Sequence, residues 1–413
     1  MSFYQHISKI IIVALLVSAA FARAETLDQI TAEAVRNNPE LRVFEQSVAA
    51  AKGGVRTART YANPELTLAP GVKRTRDVGS SNSEFHGLFE LSQLFKFPGK
   101  RALEIAIAQR NVELTELARE AFRFQVAAKV RRAFYDFVTA RKVSQARRDQ
   151  VGSAENFVES ARKRAESGYA SDFETIKSQA ELINANKALR KAEGEMNIAR
   201  VTLNALMGRS PSAPLEVTGD LNNVAPRGSR TDFVALALAR NPGIRTQLRQ
   251  AEISGLTLRS TRFGRRPDIA VGPSVEYTDT EQIFGLQATL ALPLWDQKHG
   301  EIETATANQR RALAELEKTR AEVVAEVTKA AARLDLAKQQ LALYSPAFLD
   351  RLKAFMAQAE QGYAQNTTTL LIYLDAKRTY FDTVADYYES LGSVAENRAE
   401  MESAIGVPLE INP

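Results

Sequence analysis

The chain has 413 residues, of which 45% are hydrophobic and 25% charged, and it contains no cysteine. This is the composition of a folded protein, neither disordered nor collagen-like. Its 54 Lys and Arg residues exceed its 49 Asp and Glu residues only slightly, and the excess is spread along the chain, so nucleic acid is not an expected partner. The absence of cysteine excludes disulfides, thiolate metal sites and an acylated N-terminal cysteine.

Residues 1–24 have the pattern of a secretory signal peptide. Lys9 precedes an apolar run from Ile10 to Ala20, and residues 22–24 form an Ala-Arg-Ala cleavage pattern. A membrane anchor would need a longer run, because a spanning helix takes about 20 apolar residues. We therefore expect an exported, non-lipidated mature chain that starts near Glu25.

The chain contains two related halves. Asn38-Pro39 corresponds to Asn241-Pro242, 203 residues later, and Gly168-Tyr169 corresponds to Gly362-Tyr363. Self-similarity of this kind predicts a tandem duplication. The expected boundaries are a signal peptide over 1–24, a first repeat over 25–210, a connector over 211–230, a second repeat over 231–407 and a C-terminal tail over 408–413.

Each half contains one segment in which apolar and polar residues alternate, over about 64–97 and about 267–295. A period of two predicts β-strands, and runs of this length match the 9–11 residues of a transmembrane strand. Each segment is therefore predicted to be a β-hairpin. The alternating apolar residues are Leu66, Leu68, Val72, Phe85, Phe89, Leu91, Phe95 and Phe97 in the first half, and Ile269, Val271, Val275, Tyr277, Phe284, Leu286, Ala288, Leu290, Leu292 and Leu294 in the second.

Long helices are expected around the hairpins. Residues 101–166 contain no proline and repeat apolar residues every three or four positions, which predicts one continuous helix. Its counterpart over 301–361 contains Pro346, where we expect a kink. The helices before the hairpins are predicted over 27–60 and 232–262, and the returning helices over 172–207 and 368–405.

Two glycines are suited to end the long helices. Gly168 and Gly362 follow them directly, and glycine adopts the left-handed conformation of a helix C-cap without steric cost. Ser171, followed three residues later by Glu174, predicts a capping box at the start of the next helix.

A four-stranded sheet with an apolar face cannot lie in a membrane alone, because its open edges would leave backbone groups unpaired in lipid. It has to close by oligomerisation, and three copies would supply about 12 strands, within the range of bacterial outer-membrane barrels. The alternative is a soluble periplasmic coiled-coil protein. That alternative explains the helices but leaves the apolar strand faces unburied.

The order of these features and their double occurrence resemble the TolC-like outer-membrane efflux proteins. The resemblance covers essentially all of the mature chain and includes residues 290–296 (Leu-Ala-Leu-Pro-Leu-Trp-Asp), followed by Gly300. It implies a mainly α-helical channel-tunnel with a small β part, in which a trimer forms a 12-stranded barrel in the outer membrane and an α-helical barrel in the periplasm. The implied partners are two further copies of the chain, a periplasmic adaptor, an inner-membrane RND-type pump and outer-membrane lipid.

The segment at the exit of the second strand resembles the CzcC-type branch of this family, which serves heavy-metal exporters. It runs from Ser92 to Arg101 and contains the strand-exit motif Pro98-Gly99-Lys100-Arg101. The resemblance implies passive export of divalent cations such as cobalt, zinc and cadmium, with multidrug efflux or type I secretion as the alternative. No metal site or cofactor is expected, since a water-filled duct passes ions without coordinating them tightly.

The resemblance also implies a gate at the periplasmic entrance. In the family, aspartates at the start of the second returning helix form rings around the three-fold axis. Asp375 matches one of them, whereas Ile372 stands where the other is expected. One carboxylate ring beside an apolar ring would favour cations and restrict flow by dewetting. Asp375 is otherwise a solvated carboxylate near a helix N-terminus, and Asp172 and Glu174 are either further entrance residues or helix caps.

The helix turns are the candidates for contact with the adaptor. The resemblance implies that Gly168, Tyr169, Gly362 and Tyr363 lie at the periplasmic tip. The alternative is that they do no more than end helices.

An enzyme is not expected. His86 and His299 lie in no recognisable catalytic motif, and the sequence lacks a phosphate loop, a dinucleotide fingerprint and a zinc-protease motif. Any transport that the protein serves would therefore be powered by a partner.

Overall fold

The computed structural model describes residues 24–77, 80–168, 171–221 and 229–409. Over these residues the fold is mainly α-helical with a four-stranded antiparallel sheet, as predicted. The elements of the first half are α1 Leu27–Asn37, α2 Pro39–Arg59, β1 Glu65–Asp77, β2 Ser80–Phe95, α3 Lys100–Glu166 and α4 Asp172–Met207. Those of the second half are α5 Arg230–Arg240, α6 Pro242–Phe263, β3 Ile269–Thr278, β4 Gln282–Leu290, α7 His299–Ala342, α8 Pro346–Ala364 and α9 Leu370–Ile405.

Several sequence expectations fall outside the described residues. These are almost the whole predicted signal peptide, residues 222–228 of the connector and residues 410–413 of the tail. Among the helices of the described ranges, none combines the length and the apolar content that a membrane crossing requires.

The chain divides into two compact units. The helical unit takes its described residues from Met1–Leu41, Phe122–Asn241 and Val323–Pro413. The sheet unit consists of Arg42–Ala121 and Pro242–Glu322 and contains all the strands named above.

The helix before each hairpin is broken, which corrects the continuous helices predicted over 27–60 and 232–262. The breaks fall at Asn38 and Asn241, whose ψ angles of 116° and 125° are not helical. Each asparagine precedes a proline, and the proline ring disfavours the α conformation in the residue before it. The repeated Asn-Pro pair therefore ends one helix and starts the next.

Asparagine side chains at these breaks also join the two ends of each repeat. Asn37 Nδ2 donates a hydrogen bond to the carbonyl oxygen of Met207 at 3.0 Å. In the second repeat, Asn241 Nδ2 donates to the carbonyl oxygen of Ala404, also at 3.0 Å. The last turns of α4 and α9 have carbonyl groups without helical partners, and these bonds satisfy one in each.

The kink predicted at Pro346 is a complete break. Helix α7 ends at Ala342, and Ser345 is the N-cap of α8, accepting a hydrogen bond from the amide of Phe348. Proline is favoured at the first position of a helix, where its missing N–H costs nothing. The prediction placed the proline inside a helix, whereas it starts a new one.

The strands pair as an antiparallel meander in the order β1-β2-β3-β4. β2 ends at Phe95 and β4 ends at Leu290, so both hairpins stop short of the predicted bounds at 97 and 295. Leu292 and Leu294 lie beyond the sheet. Pro293 between them has no N–H with which to continue a ladder.

The two largest apolar clusters of the helical unit each contain the end of one returning helix. The first contains the fully buried Leu203 and Met207 of α4, and the second contains the fully buried Met401 and Ile405 of α9. These pairs occupy equivalent places before Gly208 and Gly406, both of which end their helices in the left-handed conformation. Each returning helix therefore anchors its repeat through its last two turns.

Polar residues hold the segments that follow these helices. Glu402 is fully buried, accepts hydrogen bonds from Arg398 Nε at 3.0 Å and from the amide of Leu409 at 3.1 Å, and also pairs with Arg131. The start of the connector is held in the same way. Asn204 Nδ2 donates to the carbonyl of Ala213 at 2.9 Å.

Candidate functional site

The strand register divides the sheet into an apolar and a polar face. Directly opposed residues of antiparallel strands point to the same side, and Leu68 pairs with Phe89, which pairs with Val275. The predicted alternation is therefore confirmed across all the strands. Residues of the apolar face are Leu66, Leu68, Val72, Phe85, Phe89, Leu91, Phe95, Ile269, Val271, Val275, Tyr277, Phe284, Leu286 and Leu290. Phe284 and Leu286 are 75% and 77% exposed in the single chain.

The opposite face carries the acidic side chains of the sheet, together with the apolar Leu88, Leu94 and Ile283. Among its described side chains are Glu65, Glu84, Glu90 and Glu276, against a single lysine, Lys73. His86 shares this face, with Nδ1 3.6 Å from Glu276 Oε1. A sheet with one apolar face and one polar face can lie between lipid and water.

Both outer strands of the sheet are open. β1 pairs only with β2, and β4 pairs only with β3, in the part of the chain that the structure describes. An open edge with an exposed apolar face favours pairing with another chain, and in lipid it would leave its backbone groups unsatisfied.

The strand-exit motif turns the chain from β2 into α3. Gly99 has a φ of 97°, which non-glycine residues rarely adopt. A Cβ at this position would lie 3.1 Å from the ring of Phe263. Pro98 and Gly99 therefore form a tight turn against the end of α6.

The two basic residues of the motif have separate contacts. Lys100 Nζ lies 2.9 Å from Asp268 Oδ1, and the same oxygen accepts a hydrogen bond from the amide of Phe97 at 2.7 Å. The guanidinium of Arg101 lies 3.7 Å from the ring centroid of Tyr61. Lys100 thus ties the exit of the first hairpin to the entry of the second.

The turn after α8 differs from the prediction. The helix runs to Ala364, so Gly362 lies inside it and is not the left-handed cap; that conformation belongs to Asn366, with a φ of 57°. Gly362 has a different role, because a Cβ there would overlap the hydroxyl of Thr368 in the returning turn. Gly168, with a φ of 75°, is the left-handed residue expected after α3. Tyr169 lies outside the described residues.

The two predicted gate residues of α9 are exposed and share a face. Ile372 is 50% exposed and Asp375 is exposed three positions later, a spacing that places both on one side of a helix. In α4, Asp172 is also exposed. Glu174 is largely buried, with Oε1 3.4 Å from Arg164 Nε, so its carboxylate faces this arginine. Ser171 caps the helix, accepting from the amide of Glu174 at 3.4 Å.

An aromatic cluster near this turn contains a cation that the sequence reading missed. Tyr363 and Tyr373 stack with their centroids 5.0 Å apart, and Phe157 packs edge-on against Tyr373 at 5.3 Å. Lys377 Nζ lies 5.7 Å from the Phe157 and Tyr373 rings and has no hydrogen-bond partner among the described residues. Burial lowers the pKa of Lys377 to about 8, although Glu360 pulls it upward. The spacing of four from Tyr373 to Lys377 was the only available signal.

A group of four acidic residues, which the sequence analysis did not identify, lines a cavity of about 430 Å³ in the helical unit. These residues are Asp136, Glu195, Glu389 and Glu396. Burial and a hydrogen bond with Asp136 raise the pKa of Glu396 to about 8. Over the described ranges, no three His, Asp or Glu residues are grouped so as to hold a metal ion.

Comparisons with known proteins agree with this geometry. The cobalt-zinc-cadmium resistance protein CzcC of Cupriavidus metallidurans is 22% identical over 385 residues, which cover 92% of this chain and 90% of the relative. The nickel-cobalt-cadmium resistance protein NccC of Alcaligenes xylosoxydans is 23% identical over 293 residues, covering 69% and 64%. The crystal structure of CusC matches the fold with a TM-score of 0.74 at 16% identity, over 94% of this chain and 96% of CusC.

The family model described as "Outer membrane efflux protein" matches the chain twice, at residues 30–209 and 234–407. The two matches contain nearly all the elements of both halves, including both hairpins. The chain therefore belongs to the outer membrane efflux protein family.

Proposed function

We propose that the chain is the outer-membrane channel subunit of a tripartite efflux system and that it exports divalent heavy-metal cations passively. The observation that carries the channel role is the sheet, with one exposed apolar face, one face that carries acidic side chains and two open edges. Three copies that join β4 of one chain to β1 of the next would satisfy every edge and form about 12 strands.

In this closed form the polar face would line the duct. Glu65, Glu84, Glu90 and Glu276 of each copy would then make the interior attractive to cations. Asp375 would add a carboxylate ring at the periplasmic entrance, with Ile372 beside it, and the duct would need no high-affinity metal site.

The metal substrate is supported by similarity. CzcC, which aligns with 92% of the chain, is named for resistance to cobalt, zinc and cadmium, and NccC for resistance to nickel, cobalt and cadmium. An inner-membrane pump would supply the energy through a periplasmic adaptor. Gly168 and Tyr169 are the proposed adaptor contacts of the first repeat. Gly362 and Tyr363 are buried, so in the second repeat they would shape the tip and the exposed turn that follows them would make the contact. Residues 1–24 are the proposed export signal.

The test is growth of a deletion strain across zinc, cobalt, cadmium, copper and silver salts and a set of lipophilic drugs. A plasmid copy should restore growth on the metals, and its product should fractionate with the outer membrane. A copy without residues 2–24 is the matched control and should restore nothing. Restoration on drugs alone would keep the channel but overturn the metal substrate.

A further inference from the structure

All the segments that join the sheet to the helices lie at one end of the sheet. In the antiparallel meander, β1 and β3 begin at the end where β2 and β4 finish. Basic residues lie in or beside each of the four junctions. We call this set the basic collar: Arg59, Lys96, Lys100, Arg101, Arg262, Arg265, Arg266 and Lys298.

The lysines and the arginines of the collar differ in their partners. Each lysine pairs with an acid of the same region: Lys96 with Glu104, Lys100 with Asp268 and Lys298 with Glu301. The arginines form no ion pair with any carboxylate of the described residues. The nearby Asp296 accepts a hydrogen bond from the amide of Lys298. The collar therefore keeps a positive excess that belongs to its arginines.

Neutral groups hold two of these arginines in place. The Arg266 guanidinium lies between the rings of Phe97 and Phe263, 4.8 and 4.7 Å from their centroids. Arg265 Nε donates to the carbonyl of Gln297 at 2.8 Å, and its Nη2 lies 2.9 Å from His299 Nδ1. Both arginines are exposed. Guanidinium groups fixed without a carboxylate can present their remaining donors to an incoming phosphate, which they bind in bidentate fashion.

Apolar residues stand beside the charged ones. The segment after β4 exposes Leu292 by 62%, Leu294 by 63% and Trp295 by 92%, and it leads directly to Gln297, which holds Arg265. Tyr61, beneath Arg101, is 63% exposed. Tryptophan and tyrosine favour the boundary between acyl chains and headgroups. A soluble anion would contact only the arginines, whereas a phospholipid would contact the arginines with its phosphate and the apolar residues with its acyl chains.

We propose that the basic collar binds the headgroups of anionic phospholipids, with Arg265 and Arg266 as the phosphate-binding residues and Leu292, Leu294 and Trp295 against the acyl chains. The inference rests on the proposed function, because it requires the sheet to lie in a bilayer. Basic residues at a membrane surface each strengthen binding to anionic lipid about fivefold. Removing both arginines should therefore weaken the preference about 30-fold at most.

Trp295 is the only tryptophan of the chain and reports on the collar directly. The full chain, purified and reconstituted in vesicles, is exposed to phosphatidylglycerol or phosphatidylcholine with brominated acyl chains, which quench tryptophan on contact. The double variant Arg265→Gln, Arg266→Gln is compared with Arg320→Gln, an exposed arginine of α7 that lies about 30 Å along the helix from His299. Inorganic phosphate is added as a competitor.

The wild-type chain and Arg320→Gln should be quenched more strongly by brominated phosphatidylglycerol. The double variant should lose most of this preference, with the remainder due to Arg59, Arg101 and Arg262. Because Arg266 packs between two rings, the single variant Arg265→Gln is included and should lose part of the preference. Equal quenching of the wild-type chain by both lipids, an unchanged preference in the variants, or full competition by inorganic phosphate would overturn the lipid site while the channel role stands. Failure of the wild-type chain to insert into either vesicle would overturn both proposals.

Discussion

The buried ammonium of Lys377 destabilises the folded state, and replacing it with an apolar side chain should remove this destabilisation. Its ammonium lies in the aromatic cluster and has no hydrogen-bond partner among the residues that the structure describes, and burial lowers its pKa from 10.5 to about 8. That difference corresponds to about 3.5 kcal/mol, at ~1.4 kcal/mol for each pH unit. The contacts with Phe157 and Tyr373 return part of it, about 0.5–2 kcal/mol. Lys377→Met, which keeps an unbranched apolar chain, should therefore stabilise the protein at pH 7 by about 1.5–3 kcal/mol.

The pH dependence identifies the cause. Below pH 8 the lysine is protonated in both the folded and the unfolded chain, and the folded state bears the full cost. Between about 8 and 10.5 the unfolded chain keeps a proton that the folded chain has released, so the free energy of unfolding rises with pH. Thermal unfolding of the detergent-solubilised protein from pH 7 to 10.5 should show this rise in the wild type and not in Lys377→Met. The exposed Lys187→Met is the control. A less stable Lys377→Met, or a rise that persists in it, would refute the reasoning.

Three further predictions concern stability, each measured by the midpoint of thermal unfolding. Because Glu396 has a raised pKa, its contribution to the free energy of unfolding is present at low pH and is lost as the pH rises toward about 8. Glu396→Gln should remove this pH-dependent loss of stability. An unchanged pH profile in the variant would contradict the raised pKa. Gly362→Ala should destabilise by about 1–3 kcal/mol because its Cβ meets the returning turn, whereas Gly194→Ala, with open space around it, should be neutral or stabilising; equal effects would contradict the role of Gly362. Glu402→Ala should cost about 3–5 kcal/mol because it leaves two arginines without their buried partner, and a loss below about 1 kcal/mol would contradict that view.

The sequence was most informative where the pattern is local and periodic. The alternation of apolar and polar residues predicts which face of the sheet each strand residue occupies. The register places Leu68, Phe89 and Val275 on one side, as expected. The duplication predicted the common order of elements in both halves. These features depend on neighbours in the chain, so they could be read without knowing the tertiary contacts.

Sequence patterns were insufficient where two local preferences conflict or where segments distant in the chain meet. The helix break at Asn241 could have been predicted, because a proline follows this residue, but the apolar periodicity on both sides favoured one continuous helix. Gly362 was predicted to be a helix cap because glycine usually serves that role. The structure shows instead that this position must lack a Cβ because Thr368 packs against it. Burial of Lys377 could not be predicted, since Phe157 reaches it from another repeat. The basic collar likewise needs four junctions that the sequence keeps far apart.

If three copies close the sheet through their open edges, cysteines on β1 of one chain and β4 of the next should form cross-links. The chain has no cysteine of its own, so Leu68→Cys in β1 can be combined in turn with Phe284→Cys, Leu286→Cys or Ala288→Cys in β4. Opposed residues of neighbouring strands lie about 4.5–5.5 Å apart, within reach of a disulfide. After oxidation in isolated outer membranes, at least one pair should yield a covalent trimer, and each single variant should yield none. Absence of cross-links from every pair, or a ladder extending beyond three copies, would contradict the closed trimer.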